Sequence, residues 1–153
     1  METSNEKLVR GYFERIVDGR SADLRQFFAE DCVIRRAELP APINGVEQLE
    51  AFLGGARFSI ERTDTTIHQL LADGDTVLAH LEHTASFRAP IRTPWGLKDV
   101  SGKQVTWSAF ARFRCERGKI AEEWVIRDEV AIFKQLGFLD DLRAVSPNVE
   151  ETR

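Results

Sequence analysis

Asp128, His83 and Tyr12 are the residues of this chain best placed to move protons, and each stands among apolar neighbours. Ile120, Trp124, Ile126 and Asp128 recur at even spacing, so a β-strand there sends the Asp128 carboxyl to the side of the apolar residues. An ionised carboxylate in such surroundings is costly unless paired, and burial raises its pKa into the range of a general base or acid. His83 belongs to the alternating set Val77, Ala79, Leu81, His83, Ala85, Phe87, whose apolar members must face inward and take the imidazole with them. Tyr12, the only tyrosine, shares a helical face with Leu8, Val9, Phe13 and Ile16. A carboxyl base, an imidazole to share its proton and a phenol to steady an oxyanion make an acid–base constellation. Each also has a structural reading: Asp128 as a helix cap, His83 as a satisfied core histidine, Tyr12 as a core aromatic. A bulge in the last strand would reverse the facing of Asp128.

Aromatic side chains supply candidate walls for a flat ligand. Trp107 and Phe113 fall in the inward set Val105, Trp107, Ala109, Ala111, Phe113; Trp124 shares parity with Asp128; Phe13 adjoins Tyr12. His68 follows a weakly alternating stretch and is the remaining candidate for the pocket. Arg127 points outward by the same parity as Ala121, Glu123 and Val125. Arg112 and Arg114 fall on the outer face, where His80 and Glu82 can pair with them.

Other chemistries lack their motifs. There is no GxGxxG, Walker loop, HExxH or GxSxG, and His80 and His83 differ by an odd number and so point oppositely. Cys32 and Cys115 lie far apart, outside any zinc spacing, and read as small buried hydrophobes. Neither a metal nor a cofactor is expected. A net charge of −4 without a Lys/Arg-rich run argues against nucleic acid and anionic membranes as partners. No apolar run reaches the ~18 residues that span a bilayer, and the N-terminal residues lack signal-peptide character. A cytoplasmic, reduced protein is expected.

Positioning these groups requires helices first and strands afterwards. At 153 residues a single domain is expected, with its core over 5–140 and a polar tail over 145–153. Thr3 and Glu6 make a capping-box spacing ahead of a helix that Gly19 can stop. Ser21 can cap a second short helix carrying Leu24, Phe27 and Phe28, and a short strand follows at Cys32–Ile34. A third helix runs from Gly45 to Leu53 and closes at Gly54-Gly55. Strands are expected over Phe58–Leu71, Val77–Phe87, Gln104–Cys115 and Lys119–Arg127, with an irregular connection at Arg88–Lys103 and a last helix over Val130–Leu136. This order predicts an α+β fold: a curved, mostly antiparallel sheet wrapped over N-terminal helices, leaving a conical cavity.

The segment Gly118-Lys119-Ile120-Ala121-Glu122-Glu123-Trp124, then Asp128, then Gln135-Leu136-Gly137, resembles the closing signature of SnoaL-like polyketide cyclases, in the nuclear-transport-factor-2-like superfamily. Asp73-Gly74-Asp75-Thr76-Val77, Ile43-Asn44-Gly45-Val46 and Gly102-Lys103-Gln104-Val105 resemble further family segments, so the likeness covers roughly residues 5–140. It implies a cone-shaped, cystatin-like α+β barrel, commonly dimeric and without a cofactor. It also implies an intramolecular aldol closure, with the acidic residue after the Trp motif, here Asp128, as the acid–base catalyst. The chain departs from the family at Arg112 and Arg114, where polar residues including a histidine are usual, and in its longer connection Ala89–Gly96.

The leading expectation is a cofactor-independent acid–base enzyme acting on a hydrophobic, oxygenated small molecule, most like a polyketide or ester cyclase. A dehydratase, isomerase or epoxide hydrolase on the same scaffold is the alternative; epoxide opening would call for a second carboxylate and an arginine near Asp128. The rival from another class is a non-catalytic binding or dimerisation module. A homodimer is expected through the outer sheet face.

Overall fold

The computed structural model describes residues 1–17, 23–93 and 95–140. Helix α1 spans Ser4–Val17 and starts at the expected capping box: the Glu6 N–H donates to Thr3 Oγ1 at 3.1 Å, and the Thr3 N–H donates to Glu6 Oε2 at 2.7 Å. The stop expected at Gly19 lies outside the described residues. The second helix shrinks to one 3-10 turn at Leu24–Gln26, capped by Asp23, because Phe28 already enters strand β1, Phe28–Arg36. Strand β2, Ile43–Asn44, leads into α2, Val46–Ser59. That helix passes through Gly54 and Gly55, where an end was expected. Each glycine costs a helix about 1 kcal/mol, but Phe52 and Leu53 pack against the core just before them and hold the turn.

Four long strands follow as two hairpins: β3, Ile60–Asp73, with β4, Thr76–Phe87, and later β7, Gln104–Glu116, with β8, Lys119–Arg127. The connection at 88–103, expected to be irregular, carries a small hairpin of β5, Ile91–Thr93, and β6, Gly96–Lys98. Helix α3, Glu129–Leu136, ends at Gly137, whose φ of 84° is the left-handed conformation that suits glycine at a helix terminus. The main sheet has the order β2-β1-β8-β7-β4-β3, antiparallel throughout except for the parallel pair β1/β8.

The sheet curls over the helices, giving the α+β cone that the order of elements predicts. Val9, Tyr12 and Phe13 of α1 are buried against its inner face with Phe28, Ile34, Leu81 and Phe113. A second apolar cluster joins Ile132 and Leu136 of α3 to Ala85, Phe87, Val100 and Val105. Among the described residues no helix is long and apolar enough to cross a membrane.

One irregularity in β8 decides which side chains enter the cone. Cys115 pairs with Ile120, but Arg114 pairs with Glu122, so Ala121 is an extra residue. At such a bulge the facing of the strand reverses. Ile120 and Ala121 are both buried; beyond them Glu123 and Val125 are buried, whereas Trp124 and Ile126 are 50% and 57% exposed. The expectation that Trp124, Ile126 and Asp128 share the inner face is therefore corrected: Glu123, Val125 and Arg127 take that side.

Candidate functional site

Strand β8 sends Glu123 into the interior between Ile34 of β1 and Phe113 of β7, its partners in register. It is the single charged residue among the fully buried ones described, 4% exposed, and its Oε2 has no hydrogen-bond partner. Burial pushes its carboxyl up to about 7, against a smaller downward pull from Arg36. The Tyr12 phenol lies within electrostatic reach of it, and burial followed by the Glu123 charge holds that phenol well above its ordinary pKa. Tyr12 therefore stays neutral and able to donate. Its ring is wedged edge-on against Phe28 at 4.8 Å and packs against Phe13 at 4.9 Å. Cys32, also buried, is raised to about 11 by burial and by Glu123, so its thiol stays protonated.

Arg36, at the end of β1, is the hub of the charged groups. Its Nε donates to Glu38 Oε1 at 2.7 Å, and its guanidinium lies over the Phe52 ring at 5.5 Å. Arg127 also faces Glu38, at 3.5 Å, and pairs with Glu129. Burial alone would raise the Glu38 carboxyl, but Arg36 and Arg127 hold it below its ordinary value. Its second oxygen, Oε2, is buried without a partner. Two carboxyls whose surroundings push them in opposite directions are what an acid–base site requires.

His83 keeps its inward facing, opposite Trp107 in register and 5.4 Å from it between ring centres. Its Nδ1 and Thr65 Oγ1 share a hydrogen bond of 2.8 Å across the β3/β4 pair. Burial, then Arg36 and Arg127, lower it to about 4, so the ring is neutral at pH 7. It can hold a substrate oxygen or pass a proton through a neutral tautomer, but it supplies no cation. Phe13 stands 6.2 Å from the imidazole and 5.8 Å from Phe113. Ala79, Ala109 and Ala111 keep the floor of the sheet low between these rings.

The expected constellation is thus only partly assembled. Tyr12, Phe13, His83, Trp107 and Phe113 face the interior. Asp128 is exposed at the N-cap of α3, with its Oδ1 accepting from the Ala131 N–H at 2.9 Å. Trp124 and His68 stand outside the cone. Trp124 follows the reversed facing of β8, and His68 is itself the extra residue of a bulge between Ile67 and Gln69. Arg112 and Arg114 are on the outer face as expected, but the acids they meet are Glu122 on β8, at 3.6 and 3.3 Å, and, for Arg114, Glu116 at 3.2 Å. Glu123, Arg36 and Glu38 were not singled out from the sequence, and Arg127, expected to point outward, turns to the side of Glu38 instead. For Glu123 the adjacent apolar pair Ile120-Ala121 is the one local sign of the bulge that turns it inward. Among the described residues no cluster of His, Cys, Asp or Glu could hold a metal ion.

A separate cleft of about 350 Å3 lies on the outer face of the sheet, with Leu71, Leu78, His80, Phe110, Trp124 and Ile126 among its walls. Tyr12, Phe13, His83, Trp107, Phe113 and Glu123 contribute nothing to it.

The proton held by Glu123 has a consequence for stability. Unfolded, this group ionises at its ordinary 4.5; folded, it keeps its proton to about 7. Its contribution to stability is complete below about pH 4.5 and is lost as the pH rises through 7. His83 has the opposite sign: its contribution is complete above 6.5 and is lost as the pH falls through about 4. Urea midpoints of the wild type and Glu123→Gln, followed across this range, should show the wild type losing stability relative to the variant as pH rises. A constant difference would contradict a raised carboxyl.

Comparison with known proteins places the chain beside several cyclases. A family profile described as SnoaL-like polyketide cyclase matches residues 6–136. Among solved structures, IdmH of Streptomyces antibioticus, a candidate polyketide cyclase, is 22% identical, with a TM-score of 0.73 over 88% of this chain and 99% of that one. A candidate polyketide cyclase of Acidithiobacillus ferrooxidans is 18% identical, with a TM-score of 0.77 over 90% and 96%. An LEH-like epoxide hydrolase of M. tuberculosis is 17% identical, with a TM-score of 0.70 over 94% and 97%. At these identities the structural likeness shows the fold alone. A comparison with curated proteins finds no match.

Proposed function

The chain belongs to the SnoaL-like polyketide cyclase family, and on that footing we propose that it is an acid–base enzyme that closes a ring in a hydrophobic, oxygenated small molecule by an intramolecular aldol step. The observation that supports this reading best is Glu123, a carboxyl buried within the cone with one unpartnered oxygen and raised to about 7. A base of that strength is half-ionised at neutral pH, where proton transfer in both directions is fastest. Glu123 takes a proton from the carbon beside a carbonyl, and the C–H electron pair becomes an enolate. The neutral Tyr12 hydroxyl and the Arg36 guanidinium, both coupled electrostatically to Glu123, are the groups to steady the negative oxygen. The enolate carbon attacks a second carbonyl of the same molecule, a C–C bond forms, and Glu123 returns its proton to the new alkoxide. Nothing is gained or lost by the substrate.

The test is exchange of α-hydrogen for deuterium in D2O, using an aryl methyl ketone and a β-keto ester as probes. The protein should accelerate exchange over buffer, with a rate that climbs as the pH rises through about 7, where Glu123 ionises. Exchange no faster than buffer with either probe overturns the reading.

Epoxide opening is the second reading, favoured by one observation: Arg127 stands between Glu38 and Glu129, beside Asp128. Mass spectrometry of the product separates the two, since hydration of an epoxide adds one water and aldol closure leaves the mass unchanged.

The outer face of the sheet is where we place self-association. Leu71, Leu78, Phe110, Trp124 and Ile126 leave it half or more exposed, a contiguous apolar surface of the kind that marks an interface. Arg112, Arg114 and Glu122 form a charged rim beside it.

A further inference from the structure

Arg36 has two carboxylates to serve and contacts only one. It is ion-paired with Glu38 at 2.7 Å, yet on β1 it stands two residues beyond Ile34, the register partner of Glu123, so it shares a face with that carboxyl and its charge reaches it. Glu123 makes no ion pair within 4 Å among the described residues, and its Oε2 stays unpartnered although fully enclosed. Arg127 differs from Arg36 in having a second acid, Glu129, as well as Glu38. Were Glu38 neutral, Arg127 would still have a counter-ion. Arg36 would have none within 4 Å among the described residues, and the acid facing the same interior is Glu123. A guanidinium on a flexible stem, three-quarters or more enclosed, moves to an unpaired buried carboxylate because the alternative is two uncompensated charges.

We propose that Glu38 is a positioning residue: by occupying Arg36 it keeps that guanidinium off Glu123 and so leaves the buried carboxyl free to exchange a proton with a bound substrate. This rests on the reading of Glu123 as the proton-transferring group. The groups facing Glu123 make the dependence specific. Helix α1 contributes Tyr12 and strand β1 contributes Cys32, both neutral at pH 7, while Phe113 lies opposite on β7. On β8 itself Glu122 turns outward to Arg112 and Arg114. Among the described residues Arg36 is therefore the full charge able to change the proton affinity of Glu123, and Glu38 is what holds it. Two working states follow: Arg36 on Glu38, with Glu123 a base of near-neutral strength, and Arg36 on Glu123, with the carboxylate locked in a salt bridge and a poor base.

The experiment is a carboxyl-carbon NMR titration of protein labelled with 13C-glutamate, comparing wild type, Glu38→Gln, Glu38→Asp and Arg36→Met, with circular dichroism to confirm folding. In Glu38→Gln the Glu123 midpoint should fall by about one unit or more, since an opposite charge at contact distance moves a carboxyl by ~1–3 units. Glu38→Asp keeps the negative charge and should restore the wild-type midpoint. Arg36→Met removes the guanidinium and should move the midpoint above the wild-type value, which supplies an independent arm if Glu38→Gln does not fold. A midpoint that is high in the wild type but moved by neither Glu38→Gln nor Arg36→Met overturns this inference and leaves the proposed function standing. An ordinary carboxylate midpoint in the wild type overturns the proposed function as well.

Discussion

Glu123→Gln should slow α-hydrogen exchange by about 10²- to 10⁴-fold, the usual contribution of a positioned general base, while leaving the fold intact. The replacement keeps the shape of the side chain and removes its capacity to take a proton. Because Glu123 is buried without a hydrogen bond to Oε2, glutamine introduces no lost ion pair within 4 Å among the described residues. Asp128→Asn is the companion variant. Asparagine caps a helix about as well as aspartate, so the bond to the Ala131 N–H survives and α3 is undisturbed. An unchanged rate in Asp128→Asn together with a collapse in Glu123→Gln assigns the proton transfer to Glu123. The reverse result would return it to Asp128, the residue the family signature points to.

Phe110→Asp is expected to convert a dimer into monomers. Phe110 is 61% exposed, stacked on His80 at 4.6 Å in the outer cleft, so its replacement removes little from the core. In a two-fold interface each substitution appears twice. Two carboxylates would then enter the apolar centre of the contact, where desolvation without a partner costs several kcal/mol. A stable interface buries about 800 Å² per partner around an apolar middle with a polar rim, the pattern of Leu78, Phe110, Trp124 and Ile126 beside Arg112 and Glu122. Sedimentation at micromolar concentration reads the outcome. A wild type that sediments as a monomer, or a Phe110→Asp variant that remains a dimer, rules out this face as the interface.

Much of the architecture was legible in the chain because local rules were consistent with the tertiary result. The capping box at Thr3 and Glu6 formed as spaced. The alternation of Val77 to Phe87 and of Val105 to Phe113 gave the right inner faces, carrying His83 and Trp107 inward, because β4 and β7 pair without a register shift. Period-two reading holds wherever pairing is uninterrupted.

It fails at a bulge, whose position depends on the partner strand. Ala121 is an extra residue only because Cys115 and Arg114 pair as they do, and that single insertion exchanged Trp124 for Glu123 as the occupant of the cone. The same limit hid Arg36, Glu38 and Arg127, which come from the end of a strand, the loop after it and the far end of β8. One of their ion pairs, Arg127 with Glu38, joins segments about ninety residues apart, brought side by side by the parallel β1/β8 pairing. The sequence by itself determined the α+β cone, its four long strands and the inward rows of β4 and β7, since these follow from local periodicity and composition. Tertiary structure alone decided which carboxyl is buried, because burial is a property of both strands that enclose a residue and of the register between them.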